Sequence, residues 1–243
     1  MTAVKVHDLF AHREDLSREE FFAYWRSAHA GLATTFKQIK HYTQAHRSGD
    51  QDLVPGFAET WPDGCAETWY DDASEVDAMV AEPRFAAELM EDEKNFMNLE
   101  NPRPLLVSEL SLLDENGFDP EDRGIKVLIF AARPGGTSRE EFLAAWTSDD
   151  DAALGHELGA TRQALYTPVT TGGVLIQTDL EDGSHQEGGG SYDAVREVWW
   201  KDRAGLEAAT AEDNEPWRRL LRKDALDTSR SITLIAREKV VLP

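Results

Sequence analysis

The sequence has little cysteine, few basic residues and no long apolar run, and each shortage excludes a class of protein. Cys65 is the only cysteine in 243 residues, so an internal disulfide is excluded and a reducing compartment is expected. Only 25 Lys and Arg stand against 46 Asp and Glu, which gives a net charge of -21. The chain therefore lacks the basic clusters that bind nucleic acids or anionic membrane surfaces. No apolar run approaches the ~20 residues of a transmembrane helix. We expect a soluble, cytoplasmic protein.

What the chain does have is enough apolar sequence for a sizeable core. Hydrophobic residues make up 41% of the chain and aromatic residues 9%, which is typical of globular proteins. The length fits one large domain or two small ones, since domains commonly run ~100–150 residues.

Internal repetition decides between these two arrangements. The segment 17–25 recurs as 138–146, and both copies run from Ser-Arg-Glu-Glu-Phe to a tryptophan. Upstream, residues 4–6 match residues 125–127 at the same spacing of 121 positions. Landmarks that recur in one order indicate a tandem duplication. We therefore predict one module over residues 1–114 and a divergent second module over residues 125–243.

Each module is predicted to follow the order β-α-β-β-α-β. Ser17 and Ser138 are helix N-caps, and Glu20 and Glu141 three residues later complete a capping box in each module. Apolar alternation or continuous apolar runs predict the strands. The expected strands lie near 3–11, 38–47, 65–71 and 105–113, then 125–132, 160–168, 193–201 and 232–242. The expected helices run from Ser17 to about Phe36, from 74 to 98, from Ser138 to about Glu157, and from 203 to 223. This order is the ferredoxin-like split unit.

A four-stranded sheet with helices on one face leaves its other face bare. Two such modules in one chain can cover each other's bare faces, so we expect them to pack sheet to sheet as a pseudo-dimer within one chain. A pocket would lie between each sheet and its own helices, or between the two sheets. Residues 114–124 would form the linker, and Leu180–Ser191, which contains three consecutive glycines, would form a surface loop.

His29 is the first candidate for chemistry. It follows Trp25 by four residues and falls on the stripe of the first helix that is formed by Phe21, Trp25, Ala28, Leu32 and Phe36, which is expected to face the core. The plain alternative is a histidine satisfied by one hydrogen bond at the core edge. Tyr24 and Trp25 add an aromatic wall with a phenol group beside it. The second copy has Asp150 at the matching position, within an acidic stretch.

The second strand carries the other histidines. Alternation places Tyr42, Gln44 and His46 on one face and His41 with Thr43 on the other, and we expect the first set to point inward. An edge strand with solvated imidazoles is the alternative. The matching stretch 162–167 contains no histidine. A pair of imidazoles near neutral pH would serve as general acid and base.

Metal binding is a rival use of these side chains. His29, His41 and His46 would have to meet around a divalent ion, but their spacing is unlike that of known metal motifs. Haem held by one axial histidine is a further alternative. We expect no metal and no organic cofactor. Trp69 adds aromatic surface on the third strand. Asp92, Glu93 and Phe96 lie on the predicted second helix, whose charges are expected to form an exposed face.

The segment 16–30, Leu-Ser-Arg-Glu-Glu-Phe-Phe-Ala-Tyr-Trp-Arg-Ser-Ala-His-Ala, resembles the signature of EthD-domain proteins, a branch of the dimeric α+β barrel superfamily. Ile39, Tyr42, Gln44 and His46 also resemble that family's second strand. The resemblance covers residues 1–113 well and the second half only through its helix start and strand order. It implies an α+β fold in which two ferredoxin-like modules form a pseudo-dimeric barrel around an apolar pocket.

The resemblance also implies a chemistry. Similar proteins act without organic cofactors on aromatic, polyketide or lactone substrates, as dehydratases, decarboxylases, isomerases or lyases. Position by position, it makes His29 the acid or base, with His46 and Tyr24 orienting the substrate. Trp25, Tyr42, Gln44, His41 and Trp69 are expected to bind the substrate. The second copy has Ala145, Thr147 and Asp150 in place of Tyr24, Arg26 and His29, which indicates a structural role.

We therefore expect a lyase or dehydratase that acts by acid–base catalysis on a small, apolar aromatic or polyketide-like molecule. A small-molecule binding or carrier protein with the same pocket is one alternative. A monooxygenase, haem-dependent or cofactor-free, is another. The expected partner is a small-molecule substrate, and neither nucleic acid nor membrane is expected to bind. Pairing of two whole chains as a homodimer is compatible with the sequence.

Overall fold

A computed structural model describes residues 3–49, 51, 54, 56–57, 62–100, 102–114, 123–169 and 192–243, with side chains undescribed from 110 to 114. Most of the predicted linker and the predicted loop Leu180–Ser191 lie outside the described residues. No helix within the described ranges is long and apolar enough to cross a bilayer.

The same order of elements occurs in both halves of the chain. The strands are β1 Val4–Phe10, β2 His41–Arg47, β3 Gly64–Tyr70 and β4 Arg103–Asp114, then β5 Ile125–Ala131, β6 Arg162–Pro168, β7 Ala194–Trp200 and β8 Ile232–Leu242. The α-helices are α1 Arg18–Tyr24, α2 Ala30–Ala33, α3 Ala73–Val80 and α4 Glu91–Glu93, then α5 Arg139–Trp146, α6 Asp151–Glu157, α7 Arg203–Ala209 and α8 Glu215–Leu221. Two π-helices, Trp25–His29 and Phe85–Met90, lie in the first half, and a 3-10 turn covers Lys223–Ala225. The repeated order agrees with a duplication, which stays a prediction.

The strands close into one antiparallel barrel in the order β1-β3-β2-β8-β5-β7-β6-β4. Each half contributes four neighbouring strands, and the two sets join where β2 pairs with β8 and β4 pairs with β6. The predicted α+β pseudo-dimeric barrel is confirmed. The sheets do not merely face each other, because backbone hydrogen bonds at both edges make them one closed surface.

Strands such as β5 and β7 therefore have two buried faces, whereas β8 has exposed residues beyond Ala236. Alternate residues such as Leu9, Ala45, Leu128 and Leu234 fill the barrel interior, and the residues between them face the helices. Continuous burial along β5 and β7 follows from this arrangement, since both faces are covered.

The first helix begins as predicted but does not keep α-helical periodicity. Ser17 and Glu20 form the expected capping box, and so do Ser138 and Glu141 in the second half. The π-turn Trp25–His29 then shifts the register, so Ala28 is exposed and His29 and Ala30 are buried. The predicted stripe is therefore wrong at Ala28, while Leu32 and Phe36 pack in the core as expected.

In the second half the predicted single helix is interrupted. Thr147 takes an extended conformation, with φ -118° and ψ 158°, and ends α5 before α6 begins at Asp151. The two halves thus differ at the place where the first half positions His29.

Candidate functional site

A cavity of about 220 Å³ lies between the first sheet and its helices. Apolar side chains from the strands and helices form most of its wall, among them Phe10, Ile39, Met79 and Leu89. An engineered apolar cavity of ~150 Å³ holds benzene, so this volume suits a molecule of one or two rings. The polar groups in the wall are few, and they are His29, Asp8, Glu93, Tyr42, Tyr70 and Thr68.

His29 is oriented by a carboxylate from the other helical segment. Its Nδ1 lies 2.9 Å from Oδ2 of Asp92, and the Tyr24 hydroxyl donates to Oδ1 of the same carboxylate at 2.7 Å. A carboxylate only accepts hydrogen bonds, so the proton is on Nδ1 and the lone pair on Nε2. Burial lowers the pKa of His29 and Asp92 opposes this, leaving the pKa lowered. The imidazole is therefore neutral at pH 7 and is suited to act as a base.

Both π-helices contribute side chains to the wall of this cavity. His29 ends the first of them, and Phe85, Leu89 and Met90 of the second line the cavity wall. A π-turn places one extra residue in a helical turn and is often found at functional sites. Here it rotates His29 towards the core while Trp25 stays packed against the sheet.

Tyr42 is held by a hydrogen-bond network below the helix. Its hydroxyl accepts from Trp25 Nε1 at 2.8 Å and from Gln44 Nε2 at 3.0 Å. Gln44 Nε2 also donates to the Trp25 carbonyl at 2.9 Å, so it links the strand to the π-turn. With both acceptor positions used, the Tyr42 hydroxyl keeps its own proton to donate.

Two carboxyl groups in the cavity wall were not foreseen from the sequence. Burial and the nearby Glu93 raise the pKa of Asp8 to about 8. Burial and Asp92 raise the pKa of Glu93 to about 7. The prediction that the charges of this helix form an exposed face is wrong for Asp92 and Glu93, because Asp92 binds His29 and Glu93 lines the cavity. One signal for Asp8 was available: it alternates with Val6 and Phe10 on an apolar strand face.

The structure brings together only part of the predicted site. His29 and Tyr42 line the cavity, while Tyr24, Trp25 and Gln44 reach it only through their hydrogen bonds to Asp92 or Tyr42. His41 and Trp69 lie on the opposite side of the sheet, where their rings contact each other edge to face at 6.4 Å. The predicted roles of these residues stay predictions, but their geometry divides them into separate groups.

His46 lies in an aromatic stack, away from the cavity wall. Its ring is 4.4 Å from that of Phe22 and 4.7 Å from that of Trp25, nearly parallel to both. Its Nε2 lies 3.0 Å from Oε1 of Gln44. Burial, with Arg26 and Lys239 nearby, lowers the pKa of His46 to about 3. The predicted pair of His29 and His46 is therefore not assembled, and the three histidines proposed for a metal do not converge.

The low pKa of His46 predicts a loss of stability in acid. The unfolded chain takes up a proton near pH 6.5, well before the folded chain does, so stability falls as the pH drops below 6.5. Between pH 7 and pH 5 this one residue is expected to contribute about 2 kcal/mol of that loss. Urea unfolding of His46→Gln at both pH values should show a loss smaller by that amount. An identical loss in the variant and the parent protein would contradict the assignment.

The barrel interior contains a second polar cluster that joins the two halves. Lys5 contacts Glu67 at 2.6 Å and Glu197 at 3.1 Å, while Lys126 contacts Glu238 at 2.6 Å and also Glu67. Burial disfavours the charged form of Lys5, but Glu197 and Glu67 outweigh it and raise the pKa. These side chains are buried, so their charges must balance within the protein.

Among the described residues, one group of side chains is close enough to hold a metal ion, namely His7, Glu67 and Glu197 in this barrel interior. The lysine ammonium groups already occupy the carboxylate oxygens, and His7 Nε2 lies 2.8 Å from Glu197. A cation would have to displace a lysine, so these donors do not fit a metal site.

In the second half an arginine occupies the position that corresponds to the cavity wall. Strand register matches the pair Asp8 and Ala66 with the pair Ile129 and Arg196. Arg196 is fully buried and binds Oδ2 of Asp151 at 2.9 Å and the Trp146 carbonyl at 3.0 Å. Asp151 is buried too, whereas Asp150, at the position that matches His29, is exposed.

Comparison with known proteins agrees with this architecture. Residues 13–100 match the EthD domain family. An anthrone oxidase-like protein is similar in structure, with a TM-score of 0.66, 11% identity, and coverage of 99% of this chain and 94% of that chain. A proposed monooxygenase from Lactobacillus acidophilus has a TM-score of 0.53, 9% identity, and coverage of 99% and 96%.

A chlorite dismutase variant from Candidatus Nitrospira defluvii is also similar, with a TM-score of 0.51, 9% identity, and coverage of 97% of this chain and 91% of that chain. No curated protein sequence matches the chain. At these identities the structural likeness shows the fold alone. The resemblance found in the sequence is confirmed for residues 13–100, which match the EthD domain, and the chain has the α+β barrel fold of the similar structures.

Proposed function

We propose that the first half of the chain is a cofactor-independent acid–base catalyst for a small, largely apolar aromatic or polyketide-like molecule. One observation carries this proposal: a neutral imidazole, fixed by a carboxylate, lies in the wall of an apolar cavity. A base held in this way in a cavity with few other polar groups is a typical proton-transfer site.

The reaction class that fits is a lyase reaction of the dehydratase type. His29 Nε2 removes a proton from the carbon beside a carbonyl group, and a hydroxyl group leaves from the next carbon as water. Asp92 stabilises the imidazolium that forms, and the Tyr24 hydroxyl keeps Asp92 in place. Tyr42 provides a hydrogen-bond donor at the cavity wall.

A suitable probe is 4-hydroxy-2-tetralone, whose loss of water gives fluorescent 2-naphthol. Ala66 lines the cavity, and Ala66→Leu adds bulk at the position that Arg196 occupies in the other half. We expect the protein to accelerate 2-naphthol formation over the uncatalysed rate. The variant should lower kcat/KM at least about tenfold, since overpacking costs about 1–3 kcal/mol.

Ala208→Leu, at an exposed position of α7, is the matched control and should behave like the parent protein. Absence of acceleration by the parent protein, or an unchanged rate in Ala66→Leu, would contradict the proposal.

Oxygen chemistry is a second candidate, and the fold likeness to an anthrone oxidase-like protein and a proposed monooxygenase favours it. In a cofactor-free version His29 would deprotonate a substrate such as anthrone, and dioxygen would oxidise its CH₂ group to C=O while being reduced to water. Dioxygen uptake with anthrone tests this. A haem-dependent version would show a Soret band, although a cavity of about 220 Å³ is small for a tetrapyrrole.

A binding or carrier protein would use the same cavity without reaction, and it would release 2-naphthol unchanged while leaving 4-hydroxy-2-tetralone intact. Pairing of two whole chains stays a proposal that sedimentation can test, with a mass of 27.2 kDa expected for the single chain.

A further inference from the structure

Asp8 is a half-buried acid on the cavity wall, and packing does not explain its role. It lies on the face of β1 towards the helices, between Val6 and Phe10, and lines the same cavity as His29. An acid among apolar neighbours costs free energy unless it is paired or kept un-ionised. The second half avoids this cost, because Ile129 occupies the corresponding position.

The surroundings of Asp8 do not provide it with a counter-charge. Oδ1 of Asp8 is shielded from solvent and has no hydrogen-bond partner within the described part of the chain. The described residues that line the cavity include no lysine or arginine. The other acid in the wall, Glu93, repels a negative charge on Asp8. Asp8 therefore lacks the cation that usually accompanies a buried carboxylate.

Few titratable groups face the cavity from the elements packed around it. They are Glu93 of α4, His29 at the end of the π-turn, Tyr42 of β2 and Tyr70 of β3, while the backbone of Arg103 in β4 hydrogen-bonds Asp8. Burial lowers the pKa of His29 and raises that of Asp8 to about 8. Near neutral pH the cavity thus contains an unprotonated base and a protonated acid. A carboxylic acid kept neutral in this way donates a hydrogen bond to the substrate oxygen in ketosteroid isomerase.

We propose that Asp8 is the general acid of this site, donating its proton to a carbonyl oxygen, and that the substrate is consequently a neutral ketone and not a carboxylate. This proposal rests on the proposed function, since it needs His29 as the base. A substrate carbonyl in the cavity would provide the partner that Oδ1 of Asp8 lacks.

Every proton in this step has a donor and an acceptor. His29 Nε2 takes the proton from the carbon beside the carbonyl group as Asp8 gives its proton to the carbonyl oxygen, which forms an enol, an imidazolium and a carboxylate. As the enol returns its O–H proton to Asp8, the C=O group re-forms, the leaving hydroxyl takes the imidazolium proton, and water departs. No oxidant or reductant is required.

The enolisation half of this step can be measured alone with 2-tetralone, which has no leaving hydroxyl. In deuterated water, exchange of its carbon-bound protons beside the carbonyl is followed by proton NMR. We expect the parent protein to catalyse exchange and Asp8→Asn to lower the rate about 100-fold, while binding of 2-naphthol changes less than about threefold. Asp77→Asn, at an exposed position of α3, is the charge-matched control.

A second readout does not depend on turnover. The infrared difference between the parent protein and Asp8→Asn at pH 7 should contain the C=O band of an un-ionised carboxyl group. We also expect 2-naphthoate to bind at least about tenfold more weakly than 2-naphthol, because two acids and no cation face the ligand.

The outcomes separate the two proposals. If His29→Ala abolishes exchange and Asp8→Asn does not, or if only an ionised carboxylate is found, the role of Asp8 is overturned while the proposed function stands. If His29→Ala exchanges at the parent rate, or the parent protein does not catalyse exchange, the proposed function fails and the role of Asp8 fails with it.

Discussion

Replacing His29 by alanine is expected to lower the rate of 2-naphthol formation from 4-hydroxy-2-tetralone by about 10²–10⁴-fold, the usual contribution of a positioned acid or base. The effect should fall on kcat more than on KM, because the apolar wall that binds the substrate is unchanged. Asp92 would keep its hydrogen bond from Tyr24 at 2.7 Å, so the variant should fold. Stopped-flow fluorescence with unfolding controls measures both properties.

Two comparisons make this result specific. Added imidazole should restore part of the lost rate, since it can enter the space left by the side chain. His156→Ala, at an exposed position on α6, should leave the rate unchanged. A His29→Ala protein with the parent rate would remove His29 from the mechanism, and a loss without rescue in a partly unfolded variant would indicate a structural role.

Replacing Lys126 by methionine is expected to lower the free energy of unfolding by about 3–5 kcal/mol. Lys126 is fully buried in the barrel and contacts Glu238 at 2.6 Å and Glu197 at 3.4 Å, in addition to Glu67. Without it, three buried carboxylates share the remaining cations. Because these contacts connect strands of both halves, the loss should appear in one cooperative unfolding transition.

Lys94→Met is the matched control, since Lys94 is exposed and its ion pair with Glu91 lies within one helical turn. Exposed pairs contribute about 0–1 kcal/mol, so this variant should unfold nearly like the parent protein. The double variant Lys126→Met with Glu238→Leu should lose less than the sum of the single losses, because it also removes one unpaired carboxylate. A loss below 1 kcal/mol in Lys126→Met would show that the cluster is not a main element of stability.

The fold could be predicted because its signals are local and repeated. The capping boxes at Ser17 and Ser138 mark the first helix of each half, and strand alternation set the order of elements. The buried charges of the barrel interior were harder to predict from the sequence. Lys5 and Lys126 served only to mark the repeat, and Glu67 and Glu197 were not singled out, because a charged residue in a strand usually indicates a face in contact with solvent. In a closed barrel that face is buried, and the repeated charges pair with each other.

The candidate site was only partly predictable for a geometric reason. Periodicity placed His29 near the core, but it could not show the π-turn that rotates it or the helix that brings Asp92 to it. Strand alternation correctly put Tyr42, Gln44 and His46 on the helix-facing side. It could not distinguish the part of that face below the cavity from the part below Phe22 and Trp25, where His46 stacks.

The two halves differ in how the space beside Ala66 and beside the corresponding Arg196 is filled. In the first half Ala66 is small and Asp8 is uncompensated, whereas in the second half Arg196 lies at the position of Ala66 and Asp151 neutralises it. Arg222 also binds Asp151 at 2.7 Å. The space between sheet and helices is thus left open in one half and occupied by an ion pair in the other.

The most direct test of this account is a crystal structure of the protein with 2-naphthol bound. The account predicts that the two rings lie between the first sheet and its helices, with the hydroxyl group within hydrogen-bond distance of His29 Nε2 and the second half unoccupied beside Arg196. Binding of 2-naphthol in the barrel interior, or beside Arg196 with the His29 cavity empty, would contradict it.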